Sequence, residues 1–202
     1  MNSYIQLFLR GIKPGRKTAN SQVIAFTSAV PGEGVSYVIE SFATELAGRT
    51  KKLTIITDVE TLQNIDIFHY QQLPRYCCKT DIPYLHVLQR EGDQFSDELE
   101  ESQSLAPVSA GSDLDQGISN LQTLRHMYDY VLVDCPSIKE SGDAAYFASA
   151  VDGVVLVVSA ENTRKEQVRN ALNTIEMAEA NVLGCVLNKR RYPIPDWIYR
   201  RI

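Results

Sequence analysis

The sequence predicts a three-layer α/β protein: a mainly parallel sheet with helices on both faces. Three observations predict it. Short apolar runs alternate with amphipathic helical stretches along most of the 202 residues, the signature of βαβ units. The run Val154-Val155-Leu156-Val157-Val158 is continuously apolar, as a strand covered on both faces must be. The first apolar run, Val23-Ile24-Ala25-Phe26, passes through a Gly-rich turn into a helical pattern. A strand, a glycine turn and a helix in that order let backbone N–H groups wrap an anion.

That turn is the centre of the functional reading. It runs Ala29-Val30-Pro31-Gly32-Glu33-Gly34-Val35-Ser36-Tyr37. Against the phosphate-loop pattern G-x-x-x-x-G-K-[ST], Ala29 holds the first place, Gly34 the second glycine and Ser36 the hydroxyl. Val35 stands where the lysine is expected. The candidate nucleotide-binding residues are Pro31, Gly32, Glu33, Gly34, Val35, Ser36 and Tyr37. A loop lysine reaches the β- and γ-phosphates and offsets charge that builds in the transition state; valine does neither. Losing such a donor costs about 2.7–4 kcal/mol of transition-state stabilisation, but only about 1.5–3 kcal/mol of ground-state binding. Binding survives that loss better than turnover does. A dinucleotide fold is disfavoured, because the loop lacks G-x-G-x-x-G and Pro31 sits in its bend.

The remaining elements follow in order. Residues 1–20 read as an amphipathic helix over residues 4–12 and a basic Gly/Pro connector. After the loop, Val35, Val38, Ile39, Phe42 and Leu46 recur at helical spacing. The second strand, Leu53-Thr54-Ile55-Ile56-Thr57, ends in Asp58-Val59-Glu60. Asp58 reads equally as a metal- or water-orienting acid and as a helix cap. Residues 61–115 are the least informative: Tyr84-Leu85-His86-Val87-Leu88 reads as a strand, residues 97–101 as a solvated acidic patch. Leu114, Ile118, Leu121 and Leu124 give a helical face. Tyr130-Val131-Leu132-Val133 then ends at Asp134, the pattern of an acid that holds a Mg²⁺ shell. Residues 144–150 read as a helix, and Thr163 with Glu166 has capping-box spacing for another, burying Val168, Ala171, Leu172 and Ile175. The last strand, Val182-Leu183-Gly184-Cys185-Val186-Leu187, ends at Asn188. Ligands of parallel sheets sit beyond the carboxyl ends of the strands; the loop, Asp58, Asp134 and Asn188 all fall on that rim.

Composition sets the bounds. The chain suits one domain, residues 21–190, flanked by the segment 1–20 and a basic-aromatic tail, 191–202. A net charge of −5 gives no indication of nucleic-acid binding. No apolar run approaches the ~20 residues that span a bilayer, and the start lacks a secretory signal, so a cytoplasmic protein is expected. Four cysteines show no zinc-ligand spacing. His69, His86 and His126 are isolated and carry no assigned role.

The motif Thr27-Ser28-Ala29-Val30-Pro31-Gly32-Glu33-Gly34-Val35-Ser36 resembles the phosphate loop of the bacterial tyrosine kinases that regulate capsular and exopolysaccharide synthesis. The resemblance runs from Val23 to Asn188. It takes in Asp58 and Glu60 as a second acidic motif and Tyr128-Asp129-Tyr130-Val131-Leu132-Val133-Asp134-Cys135-Pro136 as the Walker-B region. It implies a three-layer P-loop NTPase-like fold, akin to septum-site and chromosome-partition ATPases. It also implies ATP or ADP with Mg²⁺ held by Ser36 and Asp134, an adenine contact from Asn188, and Asp58, Glu60 and Asp134 as the candidate catalytic acids. The departures are Val35 for lysine, no arginine soon after the second motif, only Leu9-Arg10 of the ring-assembly pattern, and two tail tyrosines, Tyr192 and Tyr199, in place of a phosphoacceptor cluster.

These departures favour a catalytically impaired relative, a regulatory binding module of the polysaccharide machinery with weak nucleotide binding. Its expected partners are the cytoplasmic part of a membrane polysaccharide co-polymerase or an active kinase, with a homo-oligomer as a further option, placing it peripheral to the inner membrane. The second reading is an active tyrosine autokinase or ATPase, its missing charge supplied by Lys51, Lys52, Arg164 or a neighbouring subunit. The third is a partition- or positioning-type protein that binds a membrane or nucleoid through the tail.

Overall fold

In the computed structural model, which describes residues 21–65, 67, 77–88 and 113–190, β1 (Gln22–Ser28) leads through the glycine turn into α1 (Val35–Thr50). There follow β2 (Thr54–Asp58), α2 (Val59–Asn64), β3 (Cys77–Lys79), β4 (Leu85–Leu88), α3 (Asp113–Met127) and β5 (Tyr130–Asp134). The chain continues with α4 (Asp143–Ala150), β6 (Gly153–Ser159), α5 (Lys165–Met177) and β7 (Val182–Asn188). The strands form one sheet in the order β3-β4-β2-β5-β1-β6-β7. Every pairing is parallel except β3 with β4.

Period-two side-chain alternation explains why the central strands are apolar throughout. Val23 and Ala25 of β1 face one core cluster, and Ile24 and Phe26 face the other. β6 divides the same way, with Val154, Leu156 and Val158 against Val155 and Val157. One face is covered by α1 through Ile39, Phe42 and Leu46, and the Phe26 and Phe42 rings meet at 5.3 Å. The opposite face takes Val59 and Leu62 of α2, Leu121 and Leu124 of α3, Phe147 of α4, and Ala171 and Ile175 of α5. The expected layers, with helices on both faces, are therefore present.

Six strands match the apolar runs of the sequence. β3, three residues long and antiparallel on the sheet edge, is too short to carry a periodic signal. α5 starts later than the Thr163–Glu166 spacing predicts. Its N-cap is Arg164, whose N–H donates to Gln167 Oε1 at 2.9 Å, because the Thr163 hydroxyl is engaged elsewhere. The segment 1–20, residues 97–101, His69 and the tail with Tyr192 and Tyr199 lie outside the described residues.

One polar junction ties the amino end of the sheet together. Asp152 Oδ2 accepts from Val23 N at 2.7 Å and from Arg125 Nη1 at 2.8 Å, and both side chains are largely buried. Asp152→Ala leaves the guanidinium, among the described residues, only its 3.3 Å bond to Ala150 O and should cost roughly 3 kcal/mol, the low end for a buried pair. That lowers Tm by about 6–12 °C in a chain of this size; an unchanged circular-dichroism melt would contradict the assignment.

Candidate functional site

The loop is built on two glycines and one buried acid. Gly32 and Gly34 have φ of 77° and 85°, in the left-handed region that glycine adopts without a Cβ penalty. Gly34 is constrained a second time, since a Cβ there would lie 2.5 Å from Asn188 Nδ2. Glu33, between them, is 1% exposed. A buried carboxylate must be paired or hydrogen-bonded, and this one is: Oε2 accepts from Val30 N at 3.0 Å, and Oε1 accepts from Ser159 N at 2.6 Å and from the Thr163 hydroxyl. One side chain thus fastens the loop to the end of β6 and the approach to α5. Asn188 Nδ2 donates to Glu33 O at 2.8 Å and Gly34 O at 3.4 Å, and Lys189 Nζ donates to Gly32 O at 2.6 Å.

At the start of α1, Val38 N–H finds the first helical acceptor, Gly34 O at 3.2 Å. The N–H groups before it are the orphan donors that every helix start leaves. Val35 is half-buried and packs on the apolar cluster beneath α1. Tyr37 is 69% exposed.

The acids lie on the neighbouring strand ends. Ser36 Oγ donates to Asp134 Oδ2 at 2.7 Å, and Asp58 is the register partner of Asp134 between β2 and β5. Burial raises the Asp134 carboxyl above its ordinary range. The Ser36 hydrogen bond opposes that shift, and the charges of Asp58 and Glu40 add to it. Asp58 is the N-cap of α2: Oδ1 accepts Thr61 N and Oδ2 accepts Thr61 Oγ1, each at 2.7 Å. Both of its oxygens therefore have a local structural partner. Glu60 is exposed on the first turn of α2.

The donor set suits Mg²⁺ with a polyphosphate. Among the described residues no group of three or more His, Cys, Asp or Glu side chains could hold a metal. One hydroxyl and one carboxylate in contact are what Mg²⁺ uses when phosphates and waters complete its shell. Ser36 and Asp134 would hold the ion, and the loop N–H groups would hold the phosphates.

The predicted rim is real: the loop, Ser36, Asp58, Asp134 and Asn188 gather at the carboxyl edge of the sheet. The proposed substitute cations divide. Lys51 is the C-cap of α1, the far end of a 16-residue helix and so about 24 Å from the loop. Lys52 sits by Asp129 and over the Tyr130 ring, where β5 begins. Neither reaches the loop. Arg164 follows Thr163 and is on the loop side. Sequence reasoning missed three participants: Glu33 as the anchor, Thr163 as its partner, and Lys189. An acid between two glycines of an anion loop signals a buried, paired carboxylate. Lys189 stands one residue past Asn188, on the same rim.

Sheet order, loop and rim give a P-loop NTPase-like fold, the one seen in MinD. The septum site-determining protein MinD of Pyrococcus horikoshii, solved with Mg-ADP, superposes with a TM-score of 0.58 at 16% identity, over 90% of this chain and 76% of that one. The chimerical protein CapA2B2 superposes with a TM-score of 0.67 at 24% identity, over 93% and 82%. In sequence, the chain is 27% identical over 187 residues to the tyrosine-protein kinase CpsD of Streptococcus agalactiae, covering 84% of this chain and 76% of the kinase. It is 28% identical over 184 residues to the succinoglycan biosynthesis transport protein ExoP of Rhizobium meliloti, covering 85% of this chain but 22% of that protein. No protein-family model matches the chain. The resemblance read from the loop and strand ends holds in sequence: the chain is similar, at 27–28% identity over more than four fifths of its length, to a bacterial tyrosine-protein kinase and to a succinoglycan biosynthesis transport protein. Among the described residues, no helix is long and apolar enough to cross a membrane.

Two outcomes test this geometry. Glu33→Gln replaces an acceptor that takes three donors and should cost about 1.5–3 kcal/mol, lowering Tm by about 3–12 °C; an unchanged melt removes Glu33 as the anchor. Asp134→Asn removes a carboxyl whose pKa is raised by folding. Such a group favours the folded state in acid and disfavours it as pH rises through the folded pKa. Without Mg²⁺, the variant should melt higher than wild type at pH 7, with the gain vanishing below the ordinary carboxylate value of 3.8. A gain that grows on acidification contradicts the sign.

Proposed function

We propose that the chain is a catalytically impaired relative of the bacterial tyrosine kinases, a regulatory binding module of the polysaccharide machinery that retains nucleotide at its loop. The observation that carries this reading is Val35. The position that should present an amine to the γ-phosphate instead carries an apolar side chain packed on the α1 core. The loop, its backbone donors, Ser36 and Asp134 retain the means to bind ATP or ADP with Mg²⁺. Asn188 keeps Oδ1 for an adenine while its amide holds the loop carbonyls.

The partner is the cytoplasmic part of a membrane polysaccharide co-polymerase or an active kinase, which makes the protein peripheral to the inner membrane. Matches to a fifth of a polysaccharide transport protein and to most of a tyrosine kinase support a domain that works beside both kinds of protein.

Purified protein with ATP and Mg²⁺ should show negligible turnover and no label on Tyr192 or Tyr199. Val35→Lys should raise turnover about 100- to 1000-fold, the scale of one transition-state donor. Wild-type turnover at a kinase-like rate, unchanged in the variant, would overturn the impaired-relative reading.

A further inference from the structure

Lys189 is unusually placed. It directly follows β7, and its φ of 55° lies in the left-handed region, which a non-glycine residue seldom occupies without local compulsion. That turn sends the side chain back across Gly34, where Lys189 Cε would stand 3.6 Å from a Cβ, and onto Gly32 O at 2.6 Å. The ammonium therefore rests against the loop that lacks its own lysine, beside the N-terminus of α1.

That is a poor place for a cation alone. A helix N-terminus favours anions and disfavours positive charge, and the first turn of α1 holds no acid. The nearest loop carboxylate, Glu33, already takes Val30, Ser159 and Thr163. An ammonium has three donors. One goes to Gly32 O, and among the described residues no acceptor takes the other two. A second polar group at this corner is also unmet: Ser159 Oγ is buried, with the residue 3% exposed, and has no partner among the described residues. Ser159 is the register partner of Asn188 and binds Glu33 through its backbone N–H. Positive charge with spare donors, an unmet hydroxyl and a helix start thus meet around one loop.

We propose that Lys189 is the phosphate-binding lysine of this site, supplied from the end of β7 rather than from position 35, and that it contacts the polyphosphate of a bound nucleoside di- or triphosphate. This rests on the reading that the loop holds nucleotide. The assignment separates binding from turnover. A lysine arriving from outside the loop restores ground-state attraction for the anion. It lacks the register of position 35, from which the amine would follow the transferring phosphoryl group.

The test is calorimetric titration of Mg-ADP into the full chain, as wild type, Lys189→Met and Lys189→Arg, with a ligand-free melt of each. Wild type should bind. Lys189→Met should bind about tenfold or more weakly, the scale of one charged hydrogen bond, at an unchanged ligand-free Tm. Lys189→Arg should recover most of the affinity. Equal affinity in Lys189→Met overturns the lysine assignment and leaves nucleotide binding standing. Weaker binding with a lowered ligand-free Tm and no recovery by arginine also overturns it, because the lysine then only braces Gly32. No binding of Mg-ADP by the wild type at millimolar concentration overturns both the assignment and nucleotide retention.

Discussion

The Glu33 carboxylate is the constraint on which the site depends. It is a buried polar group, and such a group is tolerated only with its hydrogen bonds made. Its partners come from the loop itself, from the end of β6 and from the residue before α5. Satisfying them fixes where the loop lies, draws Thr163 out of a capping role, and sets Asn188 and Lys189 against the loop carbonyls. The acid also shapes the electrostatics. Glu33 lies under the loop, and the charges of Asp58 and Glu40 act on Asp134, so a polyphosphate bound here would depend on the backbone N–H groups, on Lys189 and on a metal at Ser36 and Asp134.

Val35 shows a choice between packing and chemistry. Burying a valine side chain completely contributes about 1.5–3 kcal/mol, and Val35, half-buried, gains part of that from the cluster under α1. A lysine there would forgo the gain and return about 2.7–4 kcal/mol of transition-state stabilisation. The two are similar in size but act on different quantities: one steadies the fold, the other speeds a reaction. This chain has the residue that serves the fold.

Much of this was legible from the sequence, for identifiable reasons. β1, β5 and β6 lie in the middle of the sheet, so their apolar runs are long and plain. Asp134 and Asn188 could be placed on the rim because each directly ends such a run. β3 escaped because three edge residues have no pattern. α2 was visible only as one of two readings of Asp58, and the Thr61 contacts give that side chain its capping role. The start of α5 was displaced by a tertiary demand, the Glu33 carboxylate, that no local spacing reports. Lys51 and Lys52 were misjudged as substitute cations because closeness to a strand says nothing about which end of the sheet a residue occupies. Lys189 drew no role in the sequence reading, although it stands on the same rim as Asn188.

The central claim is that this loop holds a triphosphate without cleaving it. The direct measurement is to incubate the protein with ATP and Mg²⁺ overnight, isolate the complex by rapid gel filtration, denature it and identify the nucleotide released. Nucleotide recovered as intact ATP is the result the account predicts. Recovery of ADP in its place, with phosphate free in solution or attached to the protein, would contradict it.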